Sequence, residues 1–299
     1  MSAIYLDHCS TTPLHPAVAQ AMWECQQSCL GNPASPHQFG QAAKRVLEGA
    51  REALARQLGA DVAEVGGEQL VFTSGGTESN NLALRGLAGH PPGRILVSAV
   101  EHPSVSAPAD ELARQGFDVR RIPVDSKGLL RLDQLDELLD SSTRLVSVQF
   151  GNHETGVVQP LDEIVARCRA HHVPVHSDAV QAVGKVPLHF RRLGLAALTF
   201  NAHKIHGPVG IGGLLLRPGL VPRPLLWGGT QQFGIRPGSE PVTLAVGFCC
   251  ALECAIERRD RSAESLGTLR ELLEQTLLEQ LPDLSISGAA SPRLPHVTN

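Results

Sequence analysis

Lys204 lies between His203 and His206 in the stretch "ALTFNAHKIHGPVGIGGLLL" (197–216), after an apolar run and before a glycine-rich turn. A lysine that attacks a carbonyl must reach its neutral form, and apolar walls and cationic neighbours both lower an amine's pKa. The stretch alone fits a loop-capping lysine equally well, so other chemistry-bearing residues must decide. Asp178 follows the strand-like run "VPVHS", with Gln181 three residues on. A carboxylate at a buried strand end is costly unless it meets a cation or hydrogen-bond donors. His102 follows "RILVSA"; an imidazole there is usually structural but could stack on a planar ring. Gly75, Gly76 and Thr77 follow "QLVFTS". Two glycines allow a tight turn, and the free amides of a starting helix attract an anion, phosphate above all. A plain helix cap has the same pattern.

One cofactor uses all of these groups. Pyridoxal phosphate needs a lysine for its Schiff base, an acidic partner that keeps the pyridine nitrogen protonated, and a phosphate cup. On this reading Lys204 holds the cofactor and moves the Cα proton, and Asp178 sets the strength of the electron sink. Gln181 bonds the ring hydroxyl, and His102 covers the ring face. A nicotinamide enzyme would instead want G-x-G-x-x-G opening a helix after an early strand. "GPVGIGG" (207–213) precedes a strand, so that rival fails on context.

These residues need a scaffold that brings strand ends together. Strand-like runs at 69–74, 94–99, 117–124, 144–150, 173–178, 198–202 and 210–217 alternate with helical patterns at 78–88, 103–115, 131–140 and 161–172. Such alternation specifies an α/β fold, a mainly parallel seven-stranded sheet with helices on both faces. In open sheets of this kind ligands bind beyond the carboxyl ends of the strands. From residue 241 the pattern turns to helix upon helix, then a short strand "LSISG". The reading is a large cofactor-binding domain over 15–255, with 1–14 and 256–299 forming part of a smaller α+β domain.

The bulk numbers exclude other classes. Of 299 residues, 42% are hydrophobic and 19% charged, with a net charge of −4. That balance gives no reason to expect nucleic acid or an anionic membrane as partner. No apolar run reaches a bilayer's width, and no secretory leader is visible, so a cytoplasmic protein is expected. The seven cysteines fit a reducing compartment. Cys25 and Cys29, like Cys250 and Cys254, lie one helical turn apart, but no CxxC pair occurs and no metal site is expected. They read as small buried hydrophobes. Cys9 stands apart from them, with nothing beside it that argues for reactivity.

"YLDHCSTTP" (5–13), "GNPASPHQFG" (31–40), "VFTSGGTESNNLA" (71–83), "VEHPSV" (100–105), "NHETGVVQP" (152–160), "HSDAVQAVGK" (176–185), "HKIHGPVGIGGLLLR" (203–217) and "IRPGSEP" (235–241) closely resemble the cysteine desulfurases, class V aminotransferases of the fold-type I pyridoxal-phosphate group. The resemblance runs from Tyr5 to Asn299. It implies a homodimer with active sites at the subunit interface. The implied reaction takes sulfur from L-cysteine, releases L-alanine and passes a cysteine persulfide to an acceptor such as an iron–sulfur scaffold or a thiolation pathway. It also implies that Lys204 is the Schiff-base lysine, Asp178 the pyridinium partner, Gln181 the contact to the ring oxygen and His102 the stacking histidine. Gly76 and Thr77 match the phosphate turn, Asn201 and His203 add phosphate contacts, and Ser239 serves the partner subunit's cofactor. His153 replaces an asparagine that contacts cofactor or substrate in the family. The family's sulfur-accepting cysteine loop and its carboxylate-clamping arginine lie beyond Asn299, so the 299 residues are expected to turn over weakly or not at all unless Cys9 substitutes. A selenocysteine lyase, another class V transaminase, or a catalytically silent partner protein are the alternative readings.

Overall fold

The computed structural model describes residues 4–299; residues 1–3, assigned above to the smaller domain, lie outside the described residues. Seven strands carry the fold: β1 (Gln69–Thr73), β2 (Arg94–Ser98), β3 (Asp118–Ile122), β4 (Thr143–Ser147), β5 (Val175–Asp178), β6 (Ala197–Asn201) and β7 (Gly212–Leu216). All seven expected strands are present, each within a few residues of the expected bounds. Their order across the sheet is β1-β7-β6-β5-β4-β2-β3, and only β7 runs antiparallel to its neighbours.

That pairing fixes the site. Because β7 is antiparallel to both β1 and β6, those two point the same way. The carboxyl ends of β1, β2, β4, β5 and β6 therefore meet at one edge of the sheet.

The helices are α1 (Pro16–Ser28), α2 (Gln38–Gln57), α3 (Gly76–Leu87), α4 (Pro103–Arg114), α5 (Leu132–Leu138), α6 (Leu161–Ala170), α7 (Phe190–Leu193) and α8 (Val242–Gln280). Alternate side chains of one strand enter opposite cores, as a period of two requires. Leu70 and Phe72 of β1, Leu96 of β2 and Val146 of β4 join Leu47, Leu54, Ile164 and Phe248 on one face. Val71, Ile95, Val97 and Leu145 join Leu82, Leu84, Val105 and Leu112 of α3 and α4 on the other. A sheet buried on both faces explains why its strands read as continuous apolar runs.

The C-terminal region departs from the sequence reading. One uninterrupted helix, α8, replaces the expected pair. The stretch between the two expected helices holds no proline, and Gly267 sits where an added Cβ would meet open space. "LSISG" forms no strand. No sheet edge pairs with it, and Ser287 N–H bonds instead to the Asn299 carbonyl at 2.8 Å. Helix α8 buries Ala245, Phe248, Ala251 and Leu252 early on, whereas Leu266, Leu269, Leu272 and Leu273 are exposed.

The chain then returns to the sheet edge. Val158 N–H bonds to Pro292 O and Leu294 N–H to Gly156 O, both at 2.8 Å. Leu294, fully buried, lies against Gly151, where a Cβ would come within 2.8 Å of it. Arg293 donates to both Glu274 carboxylate oxygens at 2.8 and 2.7 Å, and Thr298 Oγ1 adds a third donor. These side chains are only 6% and 11% exposed, so removing one partner strands a buried charge. Glu274→Ala is expected to lower stability by about 3 kcal/mol in urea unfolding at neutral pH. The Arg293 hydrogen bond, more than any other contact, holds the Glu274 carboxyl below its ordinary value. Its contribution is therefore full above the unfolded carboxyl's pKa and disappears as pH falls through the lower folded value. The difference between wild type and variant should shrink accordingly in acid.

Candidate active site

At the shared edge lies a cavity of about 600 Å³. Gly76, Thr77, His102, His153, Asp178, Gln181, Asn201, His203 and Lys204 all line it. The structure thus brings together every expected site residue except Ser239, which is exposed and lies outside this cavity.

The anion end is built by the β1–α3 turn. No side chain caps the start of α3, which leaves its first amides available to a ligand. Close packing explains Gly76. A Cβ there would come within 2.8 Å of Val180 Cγ2 and 3.4 Å of Asn201 Nδ2. Gly212 at the start of β7 likewise admits the Gly75 backbone, which a Cβ would meet at 2.6 Å. Asn201 is buried, and its Oδ1 has no partner.

The acidic end is Asp178, 6% exposed at the end of β5. It accepts from Val180 N–H at 2.9 Å and from Asn80 Nδ2 at 2.7 Å. Burial raises its carboxyl above the ordinary value against those donors. No ion-pair partner reaches it among the described residues. Asn80, on α3, also donates to Ser104 Oγ at 2.8 Å. Ser104 Oγ lies 2.7 Å from His102 Nδ1, which already accepts from Ser104 N–H. The consistent polarity runs from Asn80 through the Ser104 hydroxyl to His102 Nδ1 and leaves the imidazole proton on Nε2. Burial lowers the His102 pKa, which favours that neutral ring. His153 meets His102 edge to face with centroids 5.0 Å apart, and its Nδ1 is buried without a partner.

Lys204 Nζ donates to the carbonyls of Cys9 and Ser10, the latter at 2.6 Å. Burial lowers its pKa, opposed by Cys9, Asp7 and Asp178. Those carbonyls belong to an N-terminal segment zipped along the Lys204 loop. Thr12 N–H bonds to His203 O and His15 N–H to His206 O, both at 3.0 Å. Cys9 itself lines the cavity, and no other cysteine does. Of the cysteines expected to be buried, Cys25 is, whereas Cys29, Cys250 and Cys254 are only half-buried because their helix faces are partly open to solvent; Cys168 is buried too.

Three contributors were not singled out from sequence. Asn80 was visible only as part of "ESNN", Ser104 only as part of "HPS". Glu101 precedes His102 and is buried; burial first, then Asp178, pushes its carboxyl well above the ordinary value, and it accepts from Gln149 N–H at 2.6 Å. Their roles depend on contacts across the sheet edge, and no local spacing encodes those.

The residues present fit pyridoxal phosphate. The uncapped start of α3, with the close approach that Gly76 and Gly212 permit, fits a phosphate group. Asp178, buried without a cation, fits a protonated ring nitrogen, and a lowered lysine amine stands in the same cavity.

Comparison with known proteins agrees with this chemistry. The aminotransferase class-V family matches residues 4–299. A cysteine desulfurase of Nostoc sp. (strain PCC 7120) is 42% identical over 301 residues, covering 100% of this chain and 74% of its relative. The cysteine desulfurase IscS of Dictyoglomus turgidum is 36% identical, covering 99% and 75%. Among solved structures, a NifS-like protein superposes with a TM-score of 0.91 at 33% identity, covering 98% of this chain and 80% of that one. A structure of SspA in complex with cysteine has a TM-score of 0.78 at 33% identity, covering 84% and 72%.

Gly76→Ala tests the anion end. Alanine suits the helical backbone there, so only the clash with Val180 opposes it. Overpacking of that kind is expected to weaken pyridoxal phosphate binding about tenfold by calorimetric titration. The second substitution Val180→Ala should recover most of the loss, and unchanged affinity in Gly76→Ala alone would contradict the close-packing account.

Proposed function

The chain belongs to the aminotransferase class-V family, and on that footing we propose that it is a pyridoxal-phosphate-dependent cysteine desulfurase acting on L-cysteine to give L-alanine. The observation that carries this reading is Lys204, a lysine with a lowered pKa in one cavity with the cation-free carboxylate of Asp178. Pyridoxal phosphate, when bound, supplies the electron sink that lets a bond at the substrate's Cα ionise.

The chain's own groups divide the remaining work. Lys204 holds the cofactor aldehyde and moves the Cα proton, its amine made easier to deprotonate by burial. Asp178, oriented by Asn80 and Val180, holds a proton on the ring nitrogen. Gly76 and Thr77 amides, with Asn201 and His203, hold the phosphate. His102 offers its ring face, and Gln181 an amide N–H to the ring oxygen. His153, edge to face with His102 in the cavity wall, would alter the electrostatics that the family's asparagine provides there.

Ser239 is exposed, as a residue that completes a partner subunit's phosphate site must be. A homodimer follows. Exposed apolar residues support it, including Trp227 and Val209, which lies at the cavity wall. The proposed product sulfur passes as a cysteine persulfide to an acceptor protein such as an iron–sulfur scaffold, in the cytoplasm. No helix among the described residues is long and apolar enough to cross a membrane. Residues 15–255 are proposed as the large cofactor-binding domain, and 1–14 with 256–299 as part of a smaller one. The names of the relatives favour the desulfurase over a selenocysteine lyase, another transaminase or a silent partner.

The protein purified with pyridoxal phosphate is expected to be yellow, and borohydride should fix the cofactor to the peptide containing Lys204. Retention of that adduct by Lys204→Ala would sink the assignment. Asp178→Ala should still load cofactor, and in a form of the protein that releases alanine it should lose about 100-fold or more of that activity. Sedimentation should give twice the chain mass; a monomer that binds cofactor tightly would refute the role given to Ser239.

A further inference from the structure

Behind Gln181 stands a second lysine that the proposed chemistry leaves unused. Gln181 and Lys185 lie on a turn after β5, closed by Val183 N–H to Ala179 O at 2.9 Å and Lys185 N–H to Ala182 O at 3.0 Å. Lys185 Nζ donates to Gln181 Oε1 at 2.9 Å and meets His296 Nε2 at 3.2 Å. Gln181 Nε2 donates to the Cys9 carbonyl at 2.8 Å. Gln181 is 5% exposed and lines the active-site cavity. An amide has one acceptor oxygen and two N–H donors. With the oxygen taken by Lys185 and one N–H by Cys9, a single N–H remains. Turning the amide over would set its oxygen against the Cys9 carbonyl in every protonation state and, when Lys185 is an ammonium, its NH₂ against the Lys185 donors as well.

The surroundings keep Lys185 in this post. It shares with Lys204 the wall of a second cavity of about 400 Å³, which also carries His8, His206, Arg258 and Arg259 and no carboxylate. Burial, aided by Lys204 and opposed by Cys9, brings Lys185 down to about 7. His296 is pushed down to about 3 by burial and then by Lys185, so it is neutral and can accept at Nε2. Ammonium and amine alike keep an N–H for Gln181 Oε1.

We propose that Lys185 is a positioning residue that fixes the Gln181 amide with only an N–H toward the active-site cavity, making Gln181 a donor and never an acceptor to an electron-rich oxygen of the bound cofactor. The proposal rests on the pyridoxal phosphate reading above. A donor held this way favours the anionic form of that oxygen, so it lowers the pH at which the cofactor's visible band titrates.

The test is a pH titration of that band in the loaded protein, with cofactor affinity measured on the stripped protein. Lys185→Met is expected to raise the midpoint by about half a pH unit to one unit, the worth of one neutral hydrogen bond, and to weaken cofactor binding several-fold. Lys185→Arg keeps a donor and should restore most of the shift. In a Gln181→Ala background, Lys185→Met should add nothing, because the two act as one unit. If Lys185→Met does not fold, Lys185→Gln, too short to reach Gln181 Oε1, should shift the midpoint likewise. A folded variant with the wild-type midpoint, or a full additional shift over Gln181→Ala, overturns the proposal, as does a variant that loses thermal stability alone. Absence of a reducible band in the wild type is a separate outcome, which removes the cofactor reading and this inference together.

Discussion

The arrangement of the cavity depends on one constraint, a carboxylate buried at the end of β5. Two neutral donors, Val180 N–H and Asn80 Nδ2, meet Asp178. Each such bond to an ionised carboxylate contributes about 1.5–3 kcal/mol net, whereas burying that charge costs several. The imbalance is visible as the raised pKa of Asp178. A cationic group in the cavity would remove it. Glu101, buried nearby, has its carboxyl pushed up by burial and by Asp178, so it favours its charged form less than a free carboxylate would. Asn80 carries the constraint onward through Ser104, so the orientation of His102 and the ionisation of Asp178 are linked by three hydrogen bonds.

The opposite wall is a problem of positive charge. Lys204 and Lys185 are both partly removed from water, and each lowers the other's pKa or that of a neighbouring histidine. Neither has a carboxylate hydrogen-bonded to it. Backbone carbonyls of the N-terminal segment solvate Lys204 instead, and the Cys9 carbonyl spends both lone pairs on Lys204 and Gln181. A neutral acceptor holds an amine without stabilising its ammonium form as a carboxylate would. That choice keeps a low-pKa lysine possible.

Distant segments serve this edge. The antiparallel β7 lets β1 deliver its phosphate-type turn beside β6, and its leading glycine makes the room. The C-terminal return, clamped by Glu274 and Arg293, brings His296 to Lys185. The cavity is therefore assembled from both ends of the chain as well as from the sheet.

The sequence by itself determined the sheet and the residues at its edge. Strands buried on both faces are written as apolar runs, and chemistry at strand ends follows each run immediately, which is why Gly76, His102, Asp178 and Lys204 were legible. It also determined the glycines, since only close backbone approach explains them. What it could not determine was anything set by contact across the fold. Two helices are expected where α8 runs unbroken, because a charged stretch without a breaker looks the same in a linker and on an exposed helix, and the strand expected at 284–288, beyond α8, does not form. Asn80, Ser104 and Glu101 carry no periodic signal, and Cys9 had no informative neighbours in sequence. Lys185 read as part of a motif with no task of its own. Their roles arise from hydrogen bonds between residues up to 195 apart, and such partners are chosen only when the strands align and water leaves the edge between them.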